Sequence, residues 1–379
     1  MKRFPAFDPP EYVDWKPDPA LVRAFRATVE ADAERAAIVA ALAPEDKLAL
    51  YAGLLRARLH DVQLKRWVRT GVISKAWLGT GEEATTVGPV HALERGTDIV
   101  APMIRNAAAC CECGMPVAAM LRAYLGSADS PSRGRDLHCG DFARGVLQPI
   151  SHVGDMVPVI AGIALSFKLR GERRVALTWV GDGATKTAAA HEGTNFAAVQ
   201  KVPAIFVIED NRVALGTRLD QHHVPPDFAD WPPMYGVWGA RCDGNNVLDA
   251  YAATKLAAAR CRAGQGPAMV LAETFRMGGH ATHDEREARE TFPDQLFKEW
   301  GKRDPVGLYE EYLKQDGVSA RRLEEVEADV TAEVERAAEE AVRSRDNMPQ
   351  GESALDGVYA AGGDRSSGPG VANPRGGAE

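Results

Sequence analysis

Asp182 lies in Gly181-Asp182-Gly183, and Asn211 closes Glu209-Asp210-Asn211. A carboxylate and a carboxamide are hard oxygen ligands, and with one backbone carbonyl they make half of an octahedron. Such a half-shell suits Mg²⁺ when phosphate oxygens complete it. Gly183 lets the backbone approach a phosphate. The N–H groups of Gly183 and Ala184 precede a helix whose positive end favours anions. The chemistry implied is a Mg²⁺–diphosphate site. Gly-Asp-Gly alone is a weak signal, because glycine-flanked Asp is common in turns. The run Gly181 to Thr187 ends in Lys186-Thr187 like a Walker loop, but Thr185 stands where that loop needs glycine.

These residues need elements that bring them together. Residues 175–180 form a short apolar run that predicts a buried strand, broken by Gly181-Asp182-Gly183. Residues 188–200 read as a helix, Pro203 stops the turn after it, and 204–208 read as a second buried strand. Strand, helix, strand is a right-handed βαβ unit with parallel strands, so Asp182 and Asn211 end at one rim of a sheet. A third strand is expected at 269–273. The alternation predicts an α/β fold, a mostly parallel sheet with helices on both faces.

Apolar residues recur at helical spacing over 45–69 (Leu48, Tyr51, Leu54, Leu55, Leu59, Val62), with Pro44 at the start and Gly71 past the end. Residues 157–170 are apolar almost all round, which predicts a buried helix. Its Ala161, Gly162 and Ala164 would let another backbone come close. Residues 319–344 predict a charged amphipathic helix with Leu323, Val326, Val330 and Val334 on one stripe. The organisation expected is an N-terminal helical arm over 1–44, a catalytic domain over 45–345 that ends in the C-terminal helix, and a tail over 346–379. The last twenty residues, rich in Gly, Ser and Pro, are expected to be disordered.

The chain has 379 residues, 45 Lys+Arg and 53 Asp+Glu, hence a net charge of −8, and this disfavours a basic nucleic-acid binder. Local phosphate binding is still allowed, since backbone N–H groups and one metal ion need no global charge. No apolar run of about 20 residues is present, so no membrane span is expected. Prolines and acids follow Lys2-Arg3 at once, which argues against a secretory or transit signal and predicts a cytoplasmic protein. The six cysteines (Cys110, Cys111, Cys113, Cys139, Cys242, Cys261) lack the second cluster or paired histidines of a zinc set, so reduced, partly buried thiols are expected.

The wider pattern is far more specific. Gly-Asp-Gly, then residues 184–209, then Asp210-Asn211 resembles the thiamine-diphosphate fingerprint. The segments GTGEEATTVGPVHAL (79–93), VGDMVPVIAGIAL (153–165), GDGATKTAAAHEGTNFAAVQKVPAIFVIEDNRVALGT (181–217), Cys242-Asp243-Gly244 and CRAGQGPAMVLAETFRMGGHATHDE (261–285) resemble the α subunit of the E1 component of 2-oxo acid dehydrogenase complexes. The similarity spans roughly residues 45–345. It implies a thiamine-diphosphate-binding fold and oxidative decarboxylation of a 2-oxo acid, with the acyl group passed to the lipoyl domain of an E2 acyltransferase. Mg²⁺ would be held by Asp182, Asn211 and the Val213 carbonyl, and the diphosphate by Gly183 and Ala184. Arg105 matches a diphosphate-contacting arginine, although Ile104 replaces the tyrosine usually before it. Val153 matches the apolar wedge that bends the cofactor. His280 matches the loop histidine that contacts the diphosphate and aids acyl transfer, and His138 matches a histidine near the entrance.

Two departures stand out. Ala281 occupies the position after the loop histidine where mitochondrial relatives carry a regulatory serine, so no phosphorylation switch is expected there, with Thr282 as the nearby alternative acceptor. DEREARE (284–290) replaces the usual Tyr-Arg after the loop. In two-subunit E1 enzymes the glutamate that activates the cofactor comes from the β chain. No second α/β domain follows here, so an α2β2 assembly with the E1 β subunit is expected. GEEATTVG looks nearer the branched-chain type, whereas EDNRVALGT and CRAGQGP look nearer the pyruvate and acetoin types. The alternatives are an acetoin dehydrogenase α subunit, another Mg²⁺–diphosphate enzyme such as a nucleotide hydrolase, and a non-catalytic chain that binds partners only. His91 and His191 read as packing or surface residues, His222-His223 as a solvated pair, and Trp231-Pro232-Pro233 as a loop against the body.

Overall fold

The computed structural model describes residues 1–358. The tail expected to be disordered lies outside the described residues from 359 onward. Among the described residues seven strands form: β1 Ile99–Ala101, β2 Ala176–Gly181, β3 Ala204–Asp210, β4 Val213–Ala214, β5 Thr217–Arg218, β6 Trp238–Asp243 and β7 Ala268–Glu273. Five make one parallel sheet in the order β1-β2-β3-β7-β6, and β4 with β5 makes a small antiparallel ribbon. The expected βαβ unit is present, with Gly181 opposite Glu209 in the β2–β3 register. The chain runs across the sheet from β1 to β6 at the far edge and reverses only after β6, so that β7 inserts between β3 and β6. Parallel strands open a ligand crevice beyond their carboxyl ends at such a point.

Period-two alternation decides the two faces. Leu177, Trp179, Ile205 and Val207 pack toward helices Glu83–Ala92 and Val247–Arg262. Ala176, Val180, Phe206 and Ile208 pack toward helices Met156–Leu169 and Ala188–Gln200. Asn246 caps Val247–Arg262 by accepting from Leu248 N and Asp249 N, and Thr187 caps Ala188–Gln200 by accepting from Ala190 N.

An outer helical layer covers the first face. Helix Pro44–Arg69 matches the expected 45–69, and Ala320–Arg343 buries Leu323, Val326, Val330 and Val334 as expected. The first 44 residues form a helical arm, as expected. They fold as helices Pro10–Val13, Pro19–Glu30 and Ala33–Ala40, with Tyr12, Val22, Phe25 and Val29 buried. Asp18 and Asp32 cap the second and third of these, so local polar residues set their starts. Helix Met156–Leu169 is not buried all round. It buries Val157, Ile160, Ala161, Ala164 and Phe167 and leaves Val159, Gly162 and Leu169 exposed. Among the described residues no helix is long and apolar enough to cross a membrane.

Candidate active site

The site is built where four parallel strands end. Asp182 follows β2, Asp210 and Asn211 end and follow β3, Gly244 follows β6, and Arg276 stands three residues past β7. Asp182, Asn211 and Arg276 are all buried. One Asp182 oxygen, Oδ1, accepts from Gly183 N at 2.8 Å, while Oδ2 is buried with no hydrogen-bond partner. Burial pushes the Asp182 carboxyl up to about 6. Burial, then the charge of Asp182, pushes Asp210 up to about 6 as well.

Asn211 is held rigidly. Its Nδ2 donates to Glu82 Oε1 at 2.7 Å, and its Oδ1 accepts from Val213 N at 3.2 Å, an Asx turn that leaves one carbonyl lone pair. Those two bonds fix the amide with its oxygen on the Val213 side. Val213 is buried at the start of the ribbon.

Beneath these residues lies a buried ionic network. Arg105 Nε donates to Glu209 Oε2 at 3.1 Å and stands 3.0 Å from Glu82 Oε2. Glu209 is fully buried and also accepts from Thr85 Oγ1 and, at 3.1 Å, from Asn106 Nδ2. Burial, then the charge of Glu82, raises the Glu209 carboxyl to about 7, with Arg105 pulling the other way. Arg105 Nη2 lies within 3.0 Å of Glu209 but finds no well-directed acceptor. The arginine is thus anchored by two carboxylates and keeps a donor for an anion.

The loop that carries Glu82 has no slack. A Cβ on Gly79 would overlap the Arg105 carbonyl, and one on Gly81, at φ +101°, would overlap the Phe275 carbonyl. Three chain segments therefore meet backbone to backbone behind the site.

His280 lies on a loop over the crevice, half-buried. Asp284 fixes that loop by accepting from His280 N at 3.1 Å and Ala281 N at 2.7 Å. Burial, then the charges of Arg276 and Arg105, holds the His280 imidazole down to about 4, so it is neutral at physiological pH. Ala281 is buried, and Thr282 is tied to Ala76 through N–H to carbonyl at 2.9 Å and Ala76 N to Oγ1 at 3.1 Å. Helix Glu285–Thr291 follows. Lys65 pairs with its Glu285 at 2.7 Å, and Arg289 donates to both Glu11 oxygens at 2.6 and 2.9 Å. Tyr12, next to Glu11, packs with Phe275, Met277, Phe297 and Trp300.

The remaining sequence-predicted residues are placed as follows. Gly183 and Ala184 begin a short turn directly after Asp182. Val153 is exposed, just before helix Met156–Leu169. His138 is buried and its hydrogen bonds stay in its own loop, Nδ1 meeting Asp136 Oδ1 at 2.9 Å. His91 packs against Glu112 at 2.7 Å, and His191 meets Tyr235. The expectation of a solvated His222-His223 pair is overturned. His222 faces Asp182, and His223 is buried, stacked on Phe228 and bonded to Lys186 Nζ at 2.6 Å. Phe228 folds back over the His223 ring, and His222 is left partly exposed. Trp231-Pro232-Pro233 opens a short helix, Trp231–Tyr235, with Trp231 buried. The six thiols are all free, and burial pushes Cys113, Cys139 and Cys261 up to about 12, so they pack as small apolar groups.

Glu82, Glu209, Arg276, His222 and Lys186 were not picked out from sequence as site residues. Arg276 was reachable in principle, since a residue just past a predicted parallel strand stands at the same rim. Glu82 and His222 carried no local signal, because only tertiary packing delivers them.

The donor set can be tested for its fit to a metal–diphosphate group. Among the described residues no cluster of three or more His, Cys, Asp or Glu side chains could hold a metal ion. One free carboxylate oxygen, one oriented amide oxygen and a carbonyl therefore bind a cation well only if an anionic ligand supplies the remaining oxygens. Arg105 and Arg276 provide the complementary positive wall, and a neutral His280 adds a ring N–H donor. The residues fit.

A family model described as the dehydrogenase E1 component matches residues 54–350. The chain belongs to that family. The 2-oxoisovalerate dehydrogenase subunit alpha of Bacillus subtilis is 32% identical over 323 residues, covering 84% of this chain and 97% of the relative. The 3-methyl-2-oxobutanoate dehydrogenase subunit alpha of Mycobacterium tuberculosis is 32% identical over 285 residues, covering 74% of each chain. The pyruvate dehydrogenase E1 component subunit alpha of Bacillus cereus is 31% identical over 293 residues, covering 77% of this chain and 74% of the relative.

Proposed function

We propose that this chain is the α subunit of a 2-oxo acid dehydrogenase E1 component, working with thiamine diphosphate and Mg²⁺ in an α2β2 assembly with a β-type subunit. The observation that carries the reading is Asp182 Oδ2, buried without a partner at the end of β2 beside the fixed amide of Asn211. Asp182, Asn211 and the Val213 carbonyl would hold the metal. Gly183 and Ala184 would offer N–H groups to the diphosphate, and Arg105 would contribute its unspent Nη2. Val153 would meet the cofactor from the exposed side. When bound, thiamine diphosphate supplies the nucleophilic carbon and the electron sink for decarboxylation.

The chain's own residues do the positioning. Glu82 and Glu209 set Arg105 in place, so its charge is organised before the ligand arrives. Glu82 also orients Asn211. Buried Arg276 adds positive charge, and burial together with that charge keeps the His280 imidazole neutral. A neutral His280 can accept a proton or donate one from its ring N–H near the reacting group. His138 would sit at the entrance, its ring set by Asp136. The acyl group would leave on the lipoyl domain of E2, and the β subunit would supply the glutamate that activates the cofactor.

The test is a titration of the co-expressed α and β-type chains. Tight binding of thiamine diphosphate that needs Mg²⁺, with no comparable binding of ATP, is expected. Binding of ATP in preference, or thiamine diphosphate binding unaffected by Asp182→Ala, would overturn the reading.

A further inference from the structure

One side chain at the site is left unused by that reading. His222 closes the short helix Leu219–His222 and keeps 14% of its side chain exposed, yet neither ring nitrogen has a hydrogen-bond partner. Its Nε2 stands 3.7 Å from Asp182 Oδ2, which is also unpartnered. That distance is too long for a hydrogen bond. Two polar groups have been taken from water and aimed at each other without being joined, an arrangement that calls for a third group between them.

The neighbours are already committed. Lys186 Nζ bonds to His223 Nδ1 and lies over the rings of Phe228 and Trp231 at 4.9 and 5.3 Å. His223 Nε2 meets the Asp227 carbonyl at 3.0 Å. So Lys186 and His223 serve the loop, and His222 alone is left facing the ligand side of Asp182. Mg²⁺ prefers oxygen donors, so the imidazole suits the anion better than the ion.

We infer that His222 is a further cofactor-contacting residue, donating a ring N–H to a diphosphate oxygen of the group bound at Asp182. The inference rests on the reading of Asp182 given above. It makes the loop after the ribbon part of the cofactor site, where its sequence alone reads as a solvated turn.

The experiment measures thiamine diphosphate binding to the assembled α and β chains at saturating Mg²⁺, by calorimetry. Three variants are compared: His222→Leu, which removes the donor, His222→Gln, which keeps one, and Asp182→Ala. His222→Leu is expected to raise the Kd about ten-fold, the usual worth of one hydrogen bond to a charged group. His222→Gln should stay within about three-fold of the parent, since its amide still donates. A leucine variant that binds as the parent does, while Asp182→Ala loses binding, overturns the His222 contact and leaves the Asp182 site standing. Equal weakening by Leu and Gln also overturns it, because packing would then be the role. Unchanged binding in Asp182→Ala removes both. Should the leucine variant not assemble, His222→Met carries the same comparison with the same ratios deciding.

Discussion

The floor of the crevice and its rim are built by different physics. The floor consists of strand ends, and its charges (Glu82, Glu209, Arg105, Asp182) are buried and share hydrogen bonds. The rim is the His280 loop and helix Glu285–Thr291, fastened by Lys65–Glu285 and Arg289–Glu11 pairs that solvent still reaches. Buried charges cost desolvation and hold one geometry once satisfied, whereas solvent-exposed pairs contribute little and break easily. The floor is therefore set before ligand binding, and the rim is the part able to open and close.

The sharpest way to break this contrast is at the floor. Asp182→Ala should lower the activity of the assembled enzyme by at least about 100-fold through lost cofactor, since it deletes the proposed metal ligand outright. Its stability without cofactor should hold or rise, because an unpartnered buried carboxylate is removed. Activity assay and thermal melts check both.

Next comes Arg105→Met, which strands Glu82 and Glu209 without their cation. Urea unfolding should show a loss of about 3 kcal/mol. Adding Glu209→Gln should recover part of it, a non-additive pair in a double-mutant cycle.

A smaller effect lies in pH. The His280 imidazole is held down to about 4 in the folded chain against an ordinary value of 6.5. The unfolded chain binds more protons between those values, so this group makes stability rise with pH from about 4 to about 6.5. His280→Gln should flatten that part of the stability profile. An unchanged profile would show the loop opening freely to solvent.

The smallest effect belongs to the rim. Glu11→Gln should cost under about 1 kcal/mol in global stability, as exposed pairs do. It should still speed proteolytic cutting within 278–291 several-fold, because local opening follows local contacts. A stability loss equal to that of Arg105→Met would erase the distinction between floor and rim.

Much of the floor was legible in the residues. The runs at 175–180 and 204–208 are apolar enough to be buried strands, and the Gly-Asp-Gly turn and Asn211 mark their ends. β6 was missed because it is an edge strand whose Gly239 and Arg241 face solvent and break the pattern. β1 was missed because three residues give no period. The helical character of the N-terminal arm was legible, but not its division into three helices, two of which Pro10 and Pro19 begin. Glu82 and His222 have ordinary local sequences, and long-range packing alone gives them their role, whereas Arg276 lay within reach as a residue just past a predicted strand. The Arg289–Glu11 pair, which couples the first helix to the rim, is equally invisible along the chain.

The backbone-to-backbone contact around Gly79 and Gly81 has a consequence for how such a chain could diversify. No side chain can be grafted onto that wall without displacing Arg105 or Phe275, so it is closed to tailoring for a new acid. Leu215 and Val224, exposed on either side of the segment that carries Leu219, His222 and His223, have room for altered size and charge. Selection for a different substrate would rewrite those two positions first and leave the glycines as they stand.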